Sequence, residues 1–181
     1  MVASTAQRLV LIGRRMTVFS TVLALALPVV LMAVLFRVFA GFGPVPGLFN
    51  NVPFVPSNVG GIERTGVFVV QLLAIAPVTL ALWRLGEAFR AFSRPSPDFA
   101  VAARGVRASG YWFLWGVVAG ILARTLSGVL VTLSAVSGQR MVSVGFGTPE
   151  MFGLLMAGTL LALGHVLVLA ADLEAENRSF V

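Results

Sequence analysis

Four apolar stretches, 16–36, 66–83, 111–134 and 151–171, dominate this 181-residue chain. Each is long enough for a helix to cross a hydrocarbon core, which takes about 20 residues. The expected fold is therefore all-α, with four transmembrane helices. The bulk composition agrees, since 58% hydrophobic residues, 11% charged residues and a mean hydropathy of +0.96 lie outside the range of water-soluble domains. The segments between spans are too short for a second core, so residues 1–181 read as one four-helix transmembrane domain, a membrane bundle without repeats.

The basic residues give the expected orientation. All 13 are Arg, and they account for the net charge of +6. A sequence pI near 11.7 would suggest nucleic acid in a soluble domain; in a membrane chain the positive-inside rule explains it better. Nine arginines (Arg8, Arg14, Arg15, Arg84, Arg90, Arg94, Arg104, Arg107 and Arg178) fall before span one, between spans two and three, or after span four, against three (Arg37, Arg64 and Arg140) on the other side. This split places both termini and the 84–110 segment in the cytoplasm of a multi-pass protein. The expected contacts of that face are membrane lipids with anionic headgroups, with no direct nucleic-acid binding. Span one reads as a retained helix, because it is longer than the h-region of a secretory leader and three further spans follow.

The links carry more local information. Residues 41–61 pack four Pro, five Gly and three Asn among bulky apolar residues, so they form an irregular outer loop, read as a lid over the helix ends or a recognition surface. Met141 to Phe146 is a candidate strand partner for it. On the other side, Arg94-Pro95-Ser96-Pro97 stops one short helix and Asp98 caps the next, giving an amphipathic connector at the cytoplasmic surface. Phe99, Ala102 and Val106 share one of its faces, and Glu87 lies three residues from both Arg84 and Arg90. After span four, Asp172, Glu174 and Glu176 enter the cytoplasm opposite this basic segment. Pairing between the acidic tail and Arg84, Arg90, Arg104 and Arg107 would make a weak, reversible latch.

Within the spans, Arg124 is the residue that most needs a partner, since a charge in hydrocarbon costs several kcal/mol unless paired or hydrated. It repeats at four-residue spacing with Gly116, Gly120 and Gly128, a stripe that admits a close neighbour helix. Its candidate partners are Gln71, Glu63, Glu150 and carbonyls freed by Pro77. With such partners Arg124 is either a satisfied structural charge or the lining of a polar cavity for an anion. His165, the one histidine, reads as a hydrogen-bonding group towards a neighbouring helix or as a pH-responsive group. With no Cys and a single His, neither a metal site nor a cofactor is expected. Seven acidic residues, none of them well inside a span, leave no paired general acid and base, so the expectation is a non-enzymatic protein.

Four pieces taken together resemble a known family. They are Ala81-Leu-Trp-Arg-Leu-Gly-Glu-Ala-Phe-Arg, Pro97-Asp-Phe, Val106-Arg-Ala-Ser-Gly-Tyr, and a last span running into Asp172-Leu-Glu-Ala-Glu-Asn-Arg-Ser-Phe-Val. The chain is similar in these to small bacterial four-helix integral membrane proteins grouped as a domain of unknown function. It departs from their pattern in having no Lys and in carrying Ser93-Arg94-Pro95-Ser96 at a turn where Gly is usual. The resemblance implies an inner-membrane location and a possible helix-turn-helix regulator as partner, because members are often encoded beside one. The expected role is thus regulatory or interaction-based. The alternative is a small transporter or channel subunit with a polar path near Arg124, working as a homo-oligomer.

Overall fold

A computed structural model describes residues 2–40, 60–94, 98–132 and 146–179, except for the side chains of 2–9, 174, 178 and 179. The expected outer loop at 41–59, its pairing with 141–145, the Pro95–Pro97 break and the Glu174 side chain lie outside the described residues. The rest forms four helices: α1 Val2–Phe39, α2 Gly61–Phe92, α3 Phe99–Thr132 and α4 Thr148–Ser179. No strand occurs among the described residues. All four helices are long and apolar enough to cross a membrane.

With 32 to 38 residues each, they are about 48 to 57 Å long at 1.5 Å per residue. That exceeds the hydrocarbon core of about 30 Å, so helices of this length crossing a bilayer would end in or past the headgroup layers. α1 and α2 run without interruption through Pro28 and Pro77. The 84–110 segment differs from its expected form as a separate surface connector. Residues 84–92 are the last turns of α2 and 99–110 the first turns of α3, separated only at 93–98. Packing explains the difference. Buried Ser109 donates a hydrogen bond to the Ala81 carbonyl (2.8 Å), and Gly105 brings α3 against the Arg84 carbonyl, so the two helices stay paired rather than turning onto the membrane surface. Asp98 caps α3 as expected, its Oδ1 accepting the Val101 N–H at 2.9 Å. Ala102 and Val106 are buried, and Phe99 meets Phe92 edge-on with centroids 5.9 Å apart.

Successive helices are antiparallel. Gly13 lies by Ser93 and Ser20 by Gly86; Val78 lies by Gly116; Val117 lies by Gly153 and Arg107 by Gly164. The starts of α1 and α3 and the ends of α2 and α4 therefore share one end, here the terminal end. Among the described residues α1 approaches α2 alone, α2 approaches α1 and α3, and α4 approaches α3 alone. The four helices of the expected bundle thus stand in an open row. Water would force such a row to close over its apolar faces, but lipid tails solvate them as well as a protein interior does. Phe36, Leu73 and Leu155 accordingly stay 65–70% exposed. Small apolar clusters bind the row at both ends. Leu35, Val38, Val67 and Val131 form one, and Ala88, Val106 and Leu160 the other.

Candidate functional site

Two groups of side chains stand apart from this apolar frame. The first is a polar layer away from the terminal end. Glu150 sits in the first turn of α4, 5% exposed, and its Oε2 accepts the Gly147 N–H at 2.7 Å. Its other oxygen, Oε1, lies 2.6 Å from Nη2 of Arg124, whose side chain is 26% exposed. One carboxylate thus caps α4 and neutralises the arginine of α3. Beside it, Gln71 of α2 donates from Nε2 to Ser127 Oγ of α3 at 3.1 Å.

Of the four expected partners for Arg124, the structure brings Glu150 to it. Gln71 is engaged by Ser127, and the Glu63 carboxylate accepts the Gly60 N–H at the start of α2. Arg124 keeps its expected place in the outer part of its span. It sits level with the first turn of α4, two turns short of the end of α3 at Thr132. The glycine stripe does not address one neighbour. Gly116 faces Val78 of α2, a Cβ on Gly120 would meet nothing within 4 Å, and Arg124 faces α4. The cause is geometric, because a four-residue step advances about 400° and each repeat therefore drifts about 40° around the helix.

His165 departs from the first of its two expected roles, the bond to a neighbouring helix. It is exposed, and its Nδ1 lies 2.7 Å from the carbonyl oxygen of Leu161 on its own helix rather than from a group on another helix. Leu160 and Gly164 take the face towards α3, and position 165 is turned away from it. The carbonyl can only accept, so Nδ1 carries the proton. No group of three or more His, Cys, Asp or Glu able to hold a metal occurs among the described residues.

The second group is the terminal end. Arg14 and Arg15 on α1, Arg84, Arg90 and Arg94 at the end of α2, and Arg104 on α3 are all exposed, while Arg107 is half-buried with its backbone against Gly164. Glu87 pairs with Arg84 at 2.9 Å and not with Arg90. Arg104 Nε turns back to the Ala100 carbonyl at 3.3 Å. Asp172 is exposed and forms no ion pair among the described residues, so the expected latch is not closed at that position. Exposed Glu176 lies about one further helical turn along α4.

Sequence reasoning missed Ser109 and Ser127, whose hydroxyls join α3 to α2. It also missed the repeated start signal Gly-x-x-Glu at Gly60–Glu63 and Gly147–Glu150, in which the third-position carboxylate takes the backbone N–H ahead of the helix. That signal fixes Glu150 at the beginning of α4 and so shows where Arg124 finds it. Compared with known proteins, the chain matches no family model, no curated protein and no solved structure.

Proposed function

We propose that this is a non-enzymatic integral protein of the bacterial inner membrane, with both termini cytoplasmic, that docks a cytoplasmic protein at its terminal end. The observation that carries this reading is the exposed set Arg84, Arg90, Arg94 and Arg104 on a helical hairpin whose length takes it out of the hydrocarbon. Only Arg84 of these has a carboxylate partner among the described residues. Exposed guanidinium groups on packed helices offer a charged surface to an acidic partner and speed its encounter. The family resemblance of residues 81–111 and 172–178 makes a small helix-turn-helix regulator the partner of choice.

The polar layer suits a structural role in this reading. Arg124 is neutralised by Glu150, and the open row encloses no lumen among the described residues. A transport role would require further copies of the chain to complete a path.

The test is photocrosslinking from native membranes with a photoreactive residue at exposed Ala100 on α3, beside one at Ile62, which is 90% exposed at the opposite end. The expected result is capture of a soluble acidic protein at Ala100 alone, abolished by Arg90→Glu with Arg104→Glu. Capture of only lipid or of the chain itself at both positions contradicts the docking role.

A further inference from the structure

An open groove of about 510 Å³ runs along α1, lined by Leu11, Arg14, Arg15, Val18, Phe19 and Val22. Its volume falls within the range of small-molecule sites, about 300 to 1,000 Å³. The groove lies at the terminal end, since Gly13 of α1 packs by Ser93, which follows α2, and Ser20 by Gly86 in the last two turns of α2. It runs along the side of α1 that α2 does not cover: Val18, Phe19 and Val22 are 58–64% exposed. Arg14 and Arg15 form no ion pair among the described residues. Along the helix, Val22 lies seven residues beyond Arg15, about 10 Å deeper towards the bilayer centre.

This order of chemistry, two cations at headgroup depth and a bare apolar wall one to two turns below, matches one kind of molecule. Guanidinium groups bind phosphate oxygens through paired N–H donors. The wall at Val18, Phe19 and Val22 serves a chain of methylenes. A soluble anion would leave that wall unused, and an acidic peptide would have to enter hydrocarbon to reach it. We propose that this groove is a binding site for one anionic phospholipid, its phosphate held by Arg14 and Arg15 and an acyl chain laid along Val18, Phe19 and Val22. The proposal requires only that α1 crosses the membrane, so it stands or falls separately from protein docking at Ala100.

The test uses the full chain in vesicles of phosphatidylcholine with a minor fraction of phosphatidylglycerol. Traces of acyl-photoactivatable phosphatidylglycerol or phosphatidylcholine are added, and adducts are mapped by peptide mass spectrometry. The expected result is preferential phosphatidylglycerol labelling of residues 11–22. Arg14→Gln with Arg15→Gln should lower that labelling by at least about fivefold, the weight that a single cation near an anionic surface carries, and leave phosphatidylcholine labelling unchanged. Raised salt should produce the same selective drop in the unaltered chain, which keeps the test decisive if the variant inserts poorly. Equal labelling by the two lipids, or indifference to both salt and substitution, overturns the site. Displacement of the lipid by inorganic phosphate beyond the drop that sodium chloride gives at the same ionic strength would assign the arginines to a free anion and overturn it as well.

Discussion

Glu150 serves two helices at once, closing the backbone at Gly147 and holding Arg124. Removing the arginine leaves a carboxylate that is 5% exposed with only the backbone N–H groups of Gly147 and of Glu150 itself to satisfy it. Arg124→Gln should therefore destabilise the folded chain by about 2 kcal/mol, within the range for hydrogen bonds to charged groups. Denaturant titration in detergent micelles checks this, and the double variant with Glu150→Gln should lose less than the sum of the single changes, with a coupling above about 1 kcal/mol. Additive losses would show that the pair does not act as a unit. Asp98 makes a simpler case: Asp98→Ala removes the side-chain cap of α3 and should cost about 1 kcal/mol in the same titration, whereas Asp98→Asn should be nearly neutral. At this scale the sequence displayed the problem more clearly than its solution. A lone arginine in an apolar run demands a partner, but choosing Glu150 over Gln71 and Glu63 requires knowing where α4 starts. The hydrogen-bond partner of His165 was not legible for a related reason. Its side of α4 depends on which residues α3 claims, and Gly164 lies against Arg107.

Helices α3 and α4 are joined by contacts that leave almost no room for a side chain. A Cβ on Gly164 would lie 2.9 Å from the Arg107 backbone, and one on Gly110 would lie 3.0 Å from the Leu161 backbone nitrogen. Because backbone cannot swing aside as a side-chain tip can, Gly164→Val should push α4 off α3 and lower the thermal midpoint, whereas Gly158→Ala, at a position with nothing within 4 Å, should change it little. Equal effects of the two changes would refute the close packing. The four helices themselves were legible from apolar length alone, since lipid dictates their composition. Their true ends were not. The pattern turns polar at Arg84 and stays apolar only from Tyr111, which reads as a surface connector, yet Ser109 and Gly105 carry α2 and α3 onward as one antiparallel pair. Such continuation depends on a neighbour and has no signature within either helix.

The described helices form an open row, and this arrangement was the least legible of all. Four apolar helices are compatible with a closed bundle or an extended row, because in lipid no large apolar surface has to be hidden. The order is set by which small residues meet: Gly86 with Ser20, Gly116 with Val78, and Gly153 with Val117. Disulfide trapping distinguishes the alternatives, since a bridge needs Cα atoms within about 7 Å. Paired cysteines at Ser20 and Gly86 should close, whereas cysteines at Val22 and Val166, on α1 and α4, should not, and closure of the second pair would indicate a bundle. The claim on which the functional account depends is that the row crosses the membrane with its basic end in the cytoplasm. The chain has no native cysteine, so single cysteines introduced at Ile62 and Ala100, both exposed and at opposite ends of the row, test that claim directly with a membrane-impermeant thiol reagent on intact cells. The account predicts immediate labelling of the Ile62→Cys variant and labelling of the Ala100→Cys variant only after permeabilisation. Labelling of Ala100→Cys in intact cells would turn the arginine-rich end outward and contradict it.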